Sequence, residues 1–247
     1  MAKKKLLNNE IFTIDNILSP QECAEYINLT ENIGYTDAPI STIRGFEMRP
    51  DIRNNQRVIL DDTQRAFDLW QRVSNYIPSS SPTQNCSVGR AGEAGVAGGA
   101  GGENSSLPSP PASPAPPACH HTKFAWQSTS IIGRWQAVGL NERFRFYRYN
   151  PGQRFAIHHD GSYRRPNGEE SLLTFMIYLN DGFEGGETRF HFYSRFAENL
   201  PSIAVVPVTG TALCFVHDLV HEGTAVIQGR KYVLRSDVMY RQHSKIL

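Results

Sequence analysis

From Phe144 to Tyr240 the chain is a succession of short apolar segments, at 144–149, 155–160, 172–179, 188–192, 204–208, 211–215 and 232–240, with no helical period between them. Segments this short, rich in β-branched and aromatic residues and bounded by turn formers, specify strands. Asn180-Asp181-Gly182 and Glu184-Gly185-Gly186 supply the turn chemistry, glycine permitting backbone conformations that other residues resist. Such strands form antiparallel sheets that must bury a face against each other, and a double-stranded β-helix, or jelly roll, with flanking helices would account for most of a chain of this length. Ahead of it, residues 11–14 predict a strand, and Ser19-Pro20-Gln21-Glu22 predicts a helix start with a cap, a first-turn proline and a reciprocal glutamate. Gly34 ends that helix, and Ala24, Ile27 and Ile33 form its expected apolar stripe. Residues 54–60 predict another strand, and Ala66, Leu69, Trp70 and Val73 one face of a second helix ending near Pro78. The expected class is mainly β: a jelly roll with flanking N-terminal helices, α+β overall.

Composition matters at one place. Residues 79–130 turn abruptly to Gly, Ala, Ser and Pro, a mixture that buries too little apolar surface to offset its ordering entropy. The expected organisation is therefore a strand and helix support at 1–78, a disordered insert at 79–130, either a genuine loop or a translated intron, and the jelly-roll core at 131–247. Cys119-His120-His121, inside the insert, lacks the second cluster that a metal finger needs. A chain of 247 residues suits one core. Its net charge of +1 gives no bulk basicity, so neither nucleic acid nor membrane is an expected partner. The 4 Cys stand at 23, 86, 119 and 214 without a pairing pattern, which fits a reducing compartment. Met1-Ala2-Lys3-Lys4-Lys5 is not followed by the apolar run of a secretory signal, and no stretch is long and apolar enough to span a bilayer. A cytoplasmic location is expected.

The chemistry centres on His158-His159-Asp160. On a strand, residues two apart share a face, so His158 and Asp160 point together, and His159 points away with Phe155 and Ile157 as a packing residue. With His221, the pair offers two imidazoles and one carboxylate, the set that holds a non-haem iron(II) and leaves positions open. A closed structural zinc site would need a fourth protein ligand. The run 211–215 delivers His221 at its exit, and the next strand, 230–235, carries Lys231. A lysine there is either a solvated edge charge or a partner for the far carboxylate of a dicarboxylate co-substrate.

Together, Tyr149-Asn150-Pro151-Gly152-Gln153, the metal set, Leu173-Thr174-Phe175-Met176-Ile177-Tyr178-Leu179-Asn180, Gly185-Gly186-Glu187-Thr188 and His221 through Lys231 resemble the 2-oxoglutarate and iron(II)-dependent dioxygenases of the prolyl 4-hydroxylase type. The resemblance is strong over 134–241 and weaker over 10–78. It implies His158, Asp160 and His221 as iron ligands, Lys231 as the 2-oxoglutarate anchor, Tyr149 and Thr188 lining the same pocket, and Tyr178 adding a phenolic hydrogen bond. It also implies ascorbate as reductant and hydroxylation of an unactivated carbon, most directly of a peptidyl proline, with release of succinate and CO2. The partner would be a protein or peptide substrate, or a small molecule; oligomeric state is left open. Two positions depart from the family: Phe155 stands where a tyrosine is frequent, and Arg235 shares a face with Lys231 roughly 13 Å along the strand, too far to grip the same carboxylate. Arg235 is expected to form an ion pair or touch substrate. The alternatives are a metal-binding jelly-roll module without catalysis and a zinc hydrolase using the same ligands, though a hydrolase has no need of Lys231.

Overall fold

The structure is a computed structural model that describes residues 2–7, 10–42, 44–78, 134–192 and 202–243. The expected insert at 79–130, with Cys86, Cys119, His120 and His121, lies outside the described residues. In chain order the elements are β1 (Lys3–Leu6), β2 (Ile11–Asp15), α1 (Pro20–Ile33), β3 (Thr36–Asp37), β4 (Ile40–Thr42), β5 (Gly45–Glu47), β6 (Gln56–Asp61) and α2 (Thr63–Val73). The second half contributes β7 (Arg134–Leu140), β8 (Arg143–Tyr149), β9 (Phe155–His158), β10 (Glu170–Tyr178), β11 (Glu184–Gly185), β12 (Thr188–Phe190), β13 (Ile203–Val205), β14 (Ala212–Val216), β15 (His221–Gly223), β16 (Val226–Gln228) and β17 (Lys231–His243). All pairings among them are antiparallel.

The major sheet runs β1-β2-β14-β10-β17-β8-β6-β3, with β7 also paired to β17, and the minor sheet runs β13-β12-β15-β9. This is the expected jelly roll. Strand alternation gives the major sheet two different faces. Phe144 and Phe146 of β8 are fully buried on the back, where Tyr26 of α1 packs on Phe146 with ring centroids 5.7 Å apart. Each such aromatic contributes about 1.5–3 kcal/mol by leaving water. Tyr147 and Tyr149 point to the other face, toward the minor sheet, and so do Val233 and Lys231 of β17, their register partners.

Helix α1 starts as expected. Ser19 Oγ accepts from the Glu22 N–H, the Glu22 carboxylate accepts from the Ser19 N–H, Pro20 takes the first turn, and Gly34 closes the helix at φ 92°. Its buried stripe differs from expectation. Ala24 and Ile33 are exposed, while Cys23 and Thr30 are buried with Tyr26 and Ile27 beside them. Thr30 can be buried because its hydroxyl donates back to helix carbonyls and accepts from the Tyr35 hydroxyl. On α2, Ala66, Leu69 and Val73 are buried as expected. Three expected strands stop short: β9 ends at His158 and leaves Asp160 outside it, β12 ends at Phe190, and β13 ends at Val205, leaving Val206 and Val208 exposed. Cys23 and Cys214 are free and buried, and no helix among the described residues is long and apolar enough to cross a membrane.

Candidate metal centre and co-substrate pocket

Strand β9 ends at His158, β15 begins at His221, and the two residues are register partners across the minor sheet. Their rings therefore lie side by side, centroids 4.3 Å apart. The chain leaves β9 and returns through Asp160, whose N–H donates to the His217 carbonyl at 2.9 Å. The Asp160 carboxylate comes within 3.8 Å of Nε2 of each histidine, and one ligand atom from each of the three residues lies within 4.8 Å of the others. One ion with bonds of about 2.1 Å can bridge that span after small side-chain adjustment.

The donor set fits such an ion. Nδ1 of His158 sits 2.7 Å from the Ala156 carbonyl and Nδ1 of His221 sits 2.8 Å from the Leu219 carbonyl. A carbonyl only accepts, so Nδ1 carries the proton in both rings and Nε2 presents its lone pair to the centre. Burial favours the neutral imidazoles, holding His158 down to about 3 and lowering His221 also. Burial opposes ionisation of Asp160, but the Arg235 guanidinium 3.1 Å away favours it, and the carboxyl is held well below the usual range. The centre thus presents two neutral nitrogens and an anionic oxygen.

Behind Asp160 stands a chain that the sequence did not disclose. The Thr174 hydroxyl donates to Asp160 Oδ2 at 2.6 Å and lies 2.9 Å from His217 Nδ1, and His217 Nε2 lies 3.0 Å from Ser171 Oγ. Because the threonine proton goes to Asp160, His217 Nδ1–H donates to Thr174 and the Ser171 hydroxyl donates to His217 Nε2. His217, a lone histidine in a turn, gave no sequence signal; Thr174 stood in the resembling strand without a role.

The expected packing role of His159 is overturned: it is exposed, as is Ile157. β9 is the edge of the minor sheet, so its outward face meets solvent. Phe155 is on the pocket side instead, stacked on His158 at 3.5 Å between centroids.

Lys231 is 3% exposed, not a solvated edge charge. It opens β17 opposite Tyr149, and Nζ donates to the Gly186 carbonyl at 2.6 Å. Gly185 and Gly186 have φ of 73° and 70°, and a side chain at Gly185 would strike the Ala225 carbonyl, so only glycine lets this turn close over the lysine. Burial pushes the Lys231 ammonium down to about 7, with the Glu187 charge opposing. Tyr149 and Thr188 line the pocket with it. Burial raises the Tyr149 phenol to about 12. Tyr178 lies one layer back and donates its hydroxyl to Thr188 at 2.8 Å. Arg235 lines the same pocket and pairs with Asp160 at 3.1 Å and Asp237 at 3.4 Å, the expected ion pair.

The jelly roll brings two histidines and one carboxylate together beside a buried lysine, a donor set suited to a non-haem iron with open positions. Residues 144–236 match the 2OG-Fe(II) oxygenase superfamily. A Pseudomonas putida prolyl-4-hydroxylase superposes with TM-score 0.52 at 15% identity, over 93% of this chain and 92% of that one. A prolyl hydroxylase from Trichoplax adhaerens, solved with a hypoxia inducible factor oxygen degradation domain peptide fragment, superposes with TM-score 0.53 at 14% identity, over 94% and 84%. No curated protein sequence matches the chain. The superfamily match spans residues 144–236 of the chain, and the two superpositions show a prolyl-hydroxylase-like fold.

Proposed function

We propose that the protein hydroxylates an unactivated carbon of a peptide, most directly a peptidyl proline, with His158, Asp160 and His221 holding iron(II) and Lys231 holding 2-oxoglutarate. One observation supports this reading above the others: a buried ammonium opens into the same pocket as the three candidate ligands. A buried lysine without a carboxylate in hydrogen-bond contact is costly unless a ligand supplies the anion. A hydrolase would have no use for it.

Iron(II) held there would supply the redox chemistry, in which dioxygen is the oxidant: one of its oxygen atoms would pass to succinate as 2-oxoglutarate loses carbon dioxide and the other to the substrate carbon, with ascorbate as the external reductant. The chain's residues do the rest. The carbonyls of Ala156 and Leu219 fix the two imidazole tautomers, and Thr174 fixes the carboxylate. Lys231 neutralises the far carboxylate, Thr188 lines its path, and Tyr178 holds the Thr188 hydroxyl in place. Phe155 covers one face of His158 and excludes water from it.

Incubation of the protein with iron(II), 2-oxoglutarate, ascorbate and a library of proline-containing peptides tests the reading. Mass spectrometry should find one oxygen atom added at proline and an equal amount of succinate. Oxygen added only at other residues, or only to small molecules, would overturn the proline assignment.

A further inference from the structure

Arg53 is 6% exposed, has no acidic partner among the described residues, and leaves its Nη2 without a hydrogen bond. A buried guanidinium in that state is costly. It is held by design of the chain: residues 52–55 run along the free edge of β9, with Ala156 N–H donating to the Ile52 carbonyl and Arg53 bridged to Phe155. Arg53 Nε donates to Asn55 at 2.7 Å, and the guanidinium lies 4.4 Å from the ring centroids of both Tyr147 and Phe155. Those rings line the pocket, and Phe155 stacks on His158.

Two rows of register partners lead outward from the pocket on the same face of the major sheet. One runs Met176, Arg235, Arg145, Ile59, the last 43% exposed. The other runs Val233, Tyr147, Arg57. Directly opposed residues share a face, so Arg57, Arg145 and Arg235 stand around Tyr147 with Arg53 stacked against its ring. Burial raises the Tyr147 phenol, yet Arg53, Arg235 and Arg145 outweigh it and bring it below its ordinary value. The carboxylates are fewer than the cations. Asp237 pairs with Arg145 and Arg235, Asp160 pairs with Arg235 and is a candidate metal ligand, and Asp61 is held by Arg143. Arg53 and Arg57 have none in contact among the described residues.

We propose that Arg53 and Arg57, with Arg145 beside them, form an anion subsite at the outer end of the pocket that recognises a carboxylate side chain of the substrate, so that the peptide taken is acidic close to the oxidised residue. This rests on the oxygenase reading above and adds its substrate class. A guanidinium fork matches a planar carboxylate. An acidic peptide suits the site better than a nucleic acid, because the net charge is only +1 and the unpaired arginines occupy one groove and not a broad basic surface.

The test is binding by fluorescence anisotropy to the full chain, with and without iron(II) and 2-oxoglutarate under nitrogen. The probes are a blocked Glu-Pro repeat peptide and its Gln-Pro counterpart. The acidic peptide should bind about tenfold or more tightly, a difference of about 1.4 kcal/mol. Arg57→Met and Arg53→Met should each remove most of that preference, while Lys231→Ala keeps it. Arg57 is half-buried, so its variant decides the matter if Arg53→Met fails to fold by circular dichroism. Equal binding of the two peptides, a preference that survives Arg57→Met, or one abolished by Lys231→Ala alone overturns the subsite. So does tighter, arginine-dependent binding of a single-stranded oligonucleotide. Succinate production, followed separately, distinguishes the two readings: its absence with the preference intact refutes the oxygenase reading alone, and its presence without the preference refutes only the subsite.

Discussion

His217 grips Asp160 twice: its carbonyl accepts the Asp160 N–H at 2.9 Å, and its ring supports the Thr174 hydroxyl that donates to Asp160 Oδ2 at 2.6 Å. Both the backbone and the carboxylate of one candidate ligand are thereby set by a residue that touches no proposed substrate.

Thr174→Val removes that support. Iron(II) affinity should fall roughly 10–100-fold, the usual effect of losing a hydrogen-bond partner behind a metal ligand. The His217 N–H is left unpaired and buried, so unfolding free energy should drop by about 1–3 kcal/mol. Metal titration and urea denaturation of the same preparation measure both. Unchanged iron affinity would mean that Asp160 is positioned without Thr174.

His159→Ala should bind iron(II) like the wild type, whereas His158→Ala should lose it, since His159 is exposed on the edge strand and His158 faces Asp160 and His221. Metal content after anaerobic dialysis is the measurement. The reverse pattern would place the register one residue off.

Lys231→Ala should weaken 2-oxoglutarate binding by about 2–4 kcal/mol, as for one partner of a desolvated charge pair, with iron affinity nearly unchanged. Arg235→Ala should act through Asp160 instead, lowering iron affinity. Equilibrium titrations of each variant with iron(II) and with the co-substrate separate the two effects.

The same lysine sets a pH dependence. Burial lowers Lys231 from 10.5 to about 7, so between those values the unfolded chain holds a proton that the folded one has released. Its contribution to stability therefore rises with pH across that window, and the cost of the buried charge is fully present below it. Chemical denaturation from pH 7 to 9 should show this gain in the wild type and lose it in Lys231→Met. Co-substrate binding needs the ammonium, so it should take up a proton above pH 7 and weaken there. Calorimetry in buffers of different ionisation enthalpy reads that uptake.

Deleting 79–130 should leave a folded protein with the same iron and 2-oxoglutarate dependence. Both flanks meet on β17: the Pro78 carbonyl accepts from the Tyr240 hydroxyl at 3.3 Å, and Arg134 is the register partner of His243. Loop entropy varies slowly with length, so closure costs little. Thermal unfolding and succinate production of the deletion protein check it; an unfolded product would show that the segment is structural.

His158 and Asp160 do come together as the alternation of 155–160 suggested, but β9 ends at His158 and Asp160 is turned inward by its bond to the His217 carbonyl, while Phe155 sits on the pocket side against that alternation. What packs outside β9 was not legible. Whether His159 is covered depends on the order of strands in the minor sheet, which local sequence does not encode. The stripe of α1 was misplaced because Thr30 is buried through hydrogen bonds that hydropathy does not register. Arg53 and His217 lie in irregular segments, and their partners stand on strands distant in the chain. Only the closed fold brings them to the pocket.

The most direct measurement of the central claim is the absorption spectrum on anaerobic addition of iron(II) and then 2-oxoglutarate to the full chain. A visible charge-transfer band should appear on the second addition, be absent in Asp160→Ala and His221→Ala, and require far more 2-oxoglutarate in Lys231→Ala. No band in the wild type, or one that persists in Asp160→Ala and His221→Ala, would contradict the assignment of iron to these residues.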